Sequence, residues 1–311
     1  MLLDLTIFLV AFIGCVSVYP LLIRWFQRLR VGQVIQAELF KAHQQKAGTP
    51  TGGGILFVGV GIVGGLLATW HHPGAVAPTV ALCLYGLIGC VDDFAKLRFG
   101  HVGIPARIKF PLQVLFAIPI AILAHVPQHP LRLDIADQWW YWPLAVGAIV
   151  GAANAVNLTD GLDGLAGGLA AIALLGTTFL LPGAGFGEQA VAMSLVGGVV
   201  AFLVFNRHPA QIFMGDTGSL GLGAALSAMA IEQGWVFLLV MIGLVFALET
   251  LSVIVQVGYF KVSGGRRIFK MTPIHLTFQL EGWSERRIAL AFWAAGTAAV
   301  FASGWLAHSL L

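Results

Sequence analysis

The stretch VAPTVALCLYGLIGCVDD, residues 76–93, decides the fold. From Val76 to Val91 it carries no charge, and it ends on two adjacent carboxylates, Asp92 and Asp93. About 20 predominantly apolar residues suffice for an α-helix to cross a bilayer, so residues 76–92 are expected to span it and to stop where the aspartates meet water. The same pattern repeats outward in both directions. Apolar runs between polar breaks fall at 2–25, 52–70, 76–92, 108–126, 139–156, 164–182, 188–205, 218–232, 235–258 and 287–308. Composition agrees: 58% of the 311 residues are apolar and 10% charged, where a soluble domain carries about 25% charged. The expected fold class is all-α, a polytopic integral membrane protein of about ten transmembrane helices, with residues 1–311 forming a single integral-membrane domain. The first run has no basic segment before it and no small-residue cleavage pattern, so it reads as a retained helix rather than a signal peptide.

Alternating the spans places the loops near 26–51, 93–107, 157–163, 206–217 and 259–286 on one face. Charge tests that arrangement independently. Sixteen of the 17 Lys and Arg residues fall on or beside this face, Arg132 being the exception, while Asp4, Asp134, Asp137, Glu188 and Glu232 flank the other. The positive-inside rule then makes the basic face cytoplasmic and puts both termini outside. Trp139, Trp140, Tyr141 and Trp142 sit at an outer boundary, where amphipathic rings favour the headgroup level. Cys15, Cys83 and Cys90 lie in apolar segments without metal-ligand spacing and imply neither a zinc site nor a disulfide framework. Membrane lipid is the expected surrounding, and no nucleic-acid partner is expected.

Five carboxylates stand out in so apolar a chain. Asp92 and Asp93 close the third span, Asp160 and Asp163 open the sixth, and Asp216 precedes the eighth, all on the cytoplasmic side. Ionised groups at membrane depth are costly, so their convergence points to a cation or polyphosphate site. Two segments look suited to phosphate. In KAGTPTGGG (46–54), Lys46 and the hydroxyls of Thr49 and Thr51 precede glycines whose N–H groups can approach an anion where a helix begins. In NLTDGLDG (157–164), Asp160 and Asp163 are spaced to share a helical face at the membrane edge. A helix cap with first-turn acids accounts for Asp160 but not for the whole segment.

Five motifs in order carry a resemblance: KAGTPTGGG (46–54), DDFAK (92–96), NAVNLTDGLDG (154–164), NRHPAQIFMGDTGSL (206–220), and MTPIH (271–275) with EGWSE (281–285). Together they resemble the polyprenyl-phosphate N-acetylhexosamine-1-phosphate transferases, and most closely their muramoyl branch, the phospho-N-acetylmuramoyl-pentapeptide transferases. The resemblance implies a ten-helix fold in the bacterial inner (plasma) membrane, with a cytoplasmic active-site cleft. It implies transfer of phospho-MurNAc-pentapeptide from UDP-MurNAc-pentapeptide to undecaprenyl phosphate, with release of UMP and a requirement for Mg2+. By motif position, Asp216 is similar to the magnesium ligand. Asp92 and Asp93 stand beside it as further ligands or as a site that binds or deprotonates the lipid phosphate. Lys96 and Lys109 are similar to phosphate-holding positions. Lys46, Thr51, Asn154, Asn157, Asp160, Asp163, Asn206 and Phe213 are similar to positions lining the nucleotide-sugar pocket, with Phe213 placed to stack on uracil.

One motif departs from the pattern. The muramoyl branch carries three consecutive histidines after Pro-Ile, whereas this chain reads His275-Leu276-Thr277, keeping one catalytic candidate, His275. The departure leaves open a UDP-GlcNAc or other UDP-HexNAc donor serving surface polysaccharide. A cation-coupled transporter is the reading from another class, but it would place carboxylates near the midplane in related halves, and no repeat is visible here. Exposed helix edges leave room for a homodimer.

Overall fold

The computed structural model describes residues 2–28, 48–99, 103–125 and 138–311. Lys46, Arg132, Asp134 and Asp137 lie outside the described residues. Among the described residues the chain is helical, without strands. In order the helices are α1 (Leu2–Arg28), α2 (Gly54–Thr69), α3 (Val76–Arg98), α4 (Ala106–Leu123), α5 (Tyr141–Thr159), α6 (Leu165–Phe179), α7 (Phe186–Asn206), α8 (Gly215–Glu232), α9 (Leu239–Ile242), α10 (Leu244–Val262), α11 (Ile274–Leu280) and α12 (Glu285–Ser309). Each apolar run read from the sequence coincides with at least one of them. Seven, namely α1, α3 with the short turn before it, α4, α5, α7, α10 and α12, are long and apolar enough to cross a membrane. The protein is a multi-pass membrane protein.

The bundle is organised around α8. Its sequence, GDTGSLGLGAALSAMAIE, is made largely of small residues, and every position from Asp216 to Ile231 is buried. Lipid tails are as apolar as Leu, so helices in a bilayer associate through close packing, which small side chains permit. Gly54 of α2 lies against the Gly218 backbone, and Gly223 lies against the α5 backbone at Ala152 and Ala153; a Cβ at either glycine would collide. Helices α2, α3, α5 and α6 accordingly surround α8. The outer ring turns large apolar side chains outward instead, among them Leu66 and Leu67 on α2 and Leu251 and Ile254 on α10. That inversion suits a hydrocarbon surrounding.

Two expectations need correction. The run 235–258 is not one helix: α9 and α10 are separated at Gly243. The chain leaves α8 through Gly234, which has φ +78°, and is tied there by Trp235, whose backbone N–H donates to Ala230 (2.7 Å) and whose indole donates to the Pro182 carbonyl (2.7 Å). Those bonds turn the backbone sharply before the long helix can begin. The stretch 259–286, read as a loop, contains the seven-residue helix α11. It is too short, and too interrupted by His275, Thr277 and Gln279, to show in a hydropathy pattern.

Candidate active site

The end of α3 meets the start of α8 because Gly89, one turn before Asp93, leaves room for the Asp216 backbone; a Cβ there would collide with the Asp216 carbonyl group. From that contact the Asp93 carboxylate reaches the first turn of α8. Its Oδ1 accepts the Asp216 N–H (3.0 Å), while its Oδ2 accepts the Thr217 N–H (3.0 Å) and hydroxyl (2.7 Å). The first N–H groups of a helix have no partners within it, and negative charge is favourable at that end. Asp93 therefore caps α8 from a different helix, with both oxygens engaged.

Asp216, held in this way, turns its side chain toward two lysines. Its Oδ1 lies 3.0 Å from the Lys96 Nζ and accepts the Asn157 amide (3.0 Å), while its Oδ2 bonds the Lys109 ammonium. Lys96 also lies 2.7 Å from Asp92 Oδ2, and Lys109 lies 3.6 Å from the same atom. Asp92 Oδ1 accepts the Ile104 N–H (2.7 Å), which ties the α3–α4 connection to the site. Two carboxylates and two ammonium groups thus alternate in one cluster. The Lys96 side chain is 36% exposed and the Lys109 side chain 16%, so the cluster opens toward solvent on the Lys96 side. Asn157 also donates to Ser219 (2.8 Å), joining α5 to α8. Asn154, one turn earlier, pairs instead with Gln113 of α4 (2.8 Å). That contact braces α4 against α5 beside Lys109.

In the glycine-rich loop, two of the three consecutive glycines are engaged with the chain itself. Gly53 and Gly54 donate their N–H groups to the carbonyls of Phe213 and Met214, both at 2.8 Å, and the Phe213 N–H donates back to Pro50 (2.8 Å). Those two N–H groups are occupied and do not form an anion cradle. Instead the loop carries Thr51, half-buried, alongside Phe213 and the start of α8. Adjacency to a segment distant in the chain overrides the local glycine signal.

Residues 160–164 form a turn between α5 and α6, so Asp160 and Asp163 do not share the helical face their spacing suggested, and four distant residues hold the turn. Asn206 accepts the Gly164 N–H (2.8 Å) and donates to the Ile212 carbonyl (2.8 Å). Glu285, at the start of α12, accepts the Asp163 N–H (3.1 Å). Asp163 Oδ2 accepts the Ala210 N–H (3.1 Å) and lies 2.9 Å from His208 Nδ1. Asp163 and Asn206 are therefore buried members of a network linking the turn to the 206–213 segment, and Asp160 sits half-buried at the end of α5. His275 lies behind the turn. It is 1% exposed, and its Nδ1 stands 3.1 Å from Oε2 of Glu249.

Comparison with known proteins matches the description "Glycosyl transferase family 4" over residues 75–234, a segment that includes Asp92, Asp93, Lys96, Lys109 and Asp216. The chain is 41% identical over 305 residues to the phospho-N-acetylmuramoyl-pentapeptide-transferase of Listeria monocytogenes serovar 1/2a, with 93% of each chain covered. It is 43% identical over 302 residues to the protein of that name from Geobacillus kaustophilus (92% of each), and 42% over 304 residues to that of Bacillus subtilis strain 168 (93% of each). The chain belongs to the phospho-N-acetylmuramoyl-pentapeptide-transferase family. Members act on lipid and nucleotide-sugar substrates, and the carboxylate–lysine cluster has the chemistry to hold phosphates.

A transferase of this family calls for a metal, and the donor set fits one. Asp92 and Asp216 offer only carboxylate oxygens, the ligands that hard divalent cations take. Lys96 and Lys109 already balance the two carboxylates, so a metal held there would take over part of the lysine contact. A second group, Asp163, His208 and Glu285, brings three potential ligand atoms within 4.8 Å of one another, but it includes an imidazole that magnesium does not favour. Several partners in the transferase escaped the sequence reading: Thr217, Ser219, Gln113, His208 and Glu249. His208, Thr217 and Ser219 lie inside the 206–220 motif, and Glu249 shows as a carboxylate inside an otherwise apolar run, whereas Gln113 left no signal.

Proposed function

We propose that the protein transfers phospho-MurNAc-pentapeptide from UDP-MurNAc-pentapeptide to undecaprenyl phosphate, forming undecaprenyl-diphospho-MurNAc-pentapeptide (lipid I) and UMP. The observation that carries this reading is the match to transferases of that name along more than nine-tenths of the chain, with the carboxylate–lysine cluster inside the matched region. The charge distribution supports a plasma-membrane protein whose cluster faces the cytoplasm: Arg98, Arg107, Lys109 and Lys261 lie in the terminal turns of their helices, and Arg207, Arg266 and Arg267 just beyond helix ends.

The reaction forms a bond between an oxygen of the lipid phosphate and the phosphorus next to the sugar. It breaks the bond from that phosphorus to the bridging oxygen, which leaves with UMP. Three phosphate groups approach one another, so the site must neutralise charge and fix geometry. Lys96 and Lys109 hold phosphate oxygens, exchanging part of their contact with Asp92 and Asp216 for the substrates. Asp216 and Asp92 would hold a magnesium ion, which supplies further positive charge toward the diphosphate. Asn157 orients Asp216, and Asp93 holds it by fixing the first turn of α8. The 160–164 turn, Thr51 and Phe213 contribute to the nucleotide-sugar pocket.

Direct attack by the lipid phosphate is favoured over a covalent enzyme intermediate. A phosphate monoester is already an anion at neutral pH, whereas both Asp93 oxygens accept hydrogen bonds that draw on their electron density and weaken them as nucleophiles. UMP release by the purified protein, given undecaprenyl phosphate and magnesium with UDP-MurNAc-pentapeptide or UDP-GlcNAc, tests the reading. Release from the muramoyl donor supports it, and release from UDP-GlcNAc alone would move the protein to the neighbouring branch of the same chemistry.

A further inference from the structure

Glu249 lies in the second turn of α10, is 0% exposed, and is therefore a carboxylate fully removed from water inside a membrane helix. Such a group costs several kcal/mol unless it is paired; the ionisable group against it is a histidine that is itself 1% exposed, and Glu249 Oε1 and His275 Nδ1 make no hydrogen bond, so the two side chains meet by close packing. His275 Nδ1 stands 3.1 Å from Glu249 Oε2, and the His275 backbone N–H points to the same oxygen at 3.5 Å. Neither residue opens to solvent, so neither is placed to touch a substrate.

The opposite edge of the imidazole faces the 160–164 turn. A Cβ built on Gly161 would sit 2.6 Å from His275 Nε2, so the ring rests directly against this glycine's backbone. The segment that delivers His275 is itself pinned. Gln256, two turns along the same buried face of α10, accepts the N–H groups of Ile268 (3.1 Å) and Phe269 (2.9 Å). Thr277 closes the next bend, its hydroxyl donating to the Met271 carbonyl (2.6 Å) and accepting the Met271 N–H (3.1 Å). A rigid path therefore runs from α10 through His275 to the turn that carries Asp160 and Asp163.

We propose that Glu249 and His275 form a buried strut that sets the position of the 160–164 turn, and through it the affinity for the nucleotide-sugar donor. The proposal rests on the transfer reaction above for its functional consequence, but the strut is a physical contact that can be measured without turnover. Both residues are positioning residues. The histidine works from behind the turn, which gives the single remaining histidine of the MTPIH motif a role needing no neighbouring histidines.

The test uses the full-length protein in detergent with Gly161→Ala, His275→Ala, Glu249→Gln and the Gly161→Ala/His275→Ala pair. Gly161→Ala is expected to raise the donor KM about tenfold and lower the unfolding temperature, because its methyl group has no space beside the ring. Added to His275→Ala, the same methyl should cost less than about twofold, since it enters the space the ring has left; contacting residues couple in this way. Glu249→Gln should raise the donor KM while leaving the acceptor KM within about twofold, a split that general destabilisation would not produce. Additive effects of Gly161→Ala and His275→Ala, or an unchanged donor KM in Glu249→Gln, would overturn the strut. Should His275→Ala not fold, His275→Gln takes its place in the cycle, and additivity there counts against the proposal equally. A wild type that releases no UMP from any donor, yet keeps the coupling in unfolding temperature, would overturn the transfer reading and leave the strut standing.

Discussion

Asp93 on α3 holds Asp216 on α8 by accepting its backbone N–H at 3.0 Å, although the two residues are 123 positions apart in the chain. The side chain that faces the lysines is thus placed by a carboxylate that does not itself face them. A cap supplied by another helix couples the relative position of α3 and α8 to the geometry of the cluster.

Asp93→Asn follows from that coupling. One amide nitrogen would replace an oxygen that accepts an N–H, leaving a donor facing donors, and losing a buried partner costs about 1–3 kcal/mol. The account predicts a fall in kcat of roughly tenfold to a hundredfold, at about 1.4 kcal/mol per factor of ten, with the protein still inserted and folded. Steady-state UMP release measures it, and activity within twofold of wild type would remove Asp93 from the site.

Asp216→Asn should be the more severe of the two. It removes charge from the group that contacts Lys96, Lys109 and Asn157 at once. Turnover is expected to fall by at least about a thousandfold, the scale of losing one preorganised electrostatic partner of a phosphoryl group, and magnesium titration should no longer restore it. Wild-type activity should vanish in EDTA and return with magnesium. Activity that survives EDTA would argue against a metal at this pair.

Asn206→Ala tests the turn from its other side. The amide bridges Gly164 and Ile212 and is 4% exposed, so truncation strands one N–H and one carbonyl. A destabilisation of about 3 kcal/mol is expected, from about 1–2 kcal/mol for each stranded group. Thermal unfolding measures it, and an unchanged midpoint would show that the bridge contributes nothing.

Thr277→His tests whether the missing histidine matters. The substitution restores a residue usual in the muramoyl branch but removes the hydroxyl that both donates to and accepts from Met271. No gain in kcat and a drop of a few degrees in the unfolding midpoint are expected, from about 1–2 kcal/mol of lost hydrogen bonding. A several-fold gain in activity would show that the single-histidine motif is deficient rather than adapted.

Much of the fold was legible because apolar runs and polar breaks are local properties of a membrane chain. The run 76–92 lies within α3, but the helix continues to Arg98, so Asp92 and Asp93 do not end it at water: they stand buried before its last turn, beside Asp216. What stayed hidden was contact between distant segments. Nothing in KAGTPTGGG shows that Gly53 and Gly54 would spend their N–H groups on Phe213 and Met214, which takes those two groups out of the expected phosphate cradle. Asp92 and Asp93 are neighbours of one type, yet only the three-dimensional arrangement separates the one paired with lysine from the one that caps a helix. The break at Gly243 was invisible because apolar residues lie on both sides of it. Glu249 was legible as an anomaly, but its partner, 26 residues further on, was not.

The most direct test of the central claim follows the phosphorus that changes partners. UDP-MurNAc-pentapeptide labelled with 32P at the phosphate next to the sugar is incubated with the protein, undecaprenyl phosphate and magnesium, and the mixture is then extracted with butanol. The account predicts that label enters the lipid phase in a one-to-one ratio with UMP released, and that Asp216→Asn abolishes both. Label that remains in the aqueous phase while the donor is consumed, or that becomes bound to protein when the lipid acceptor is omitted, would contradict direct transfer at this cluster.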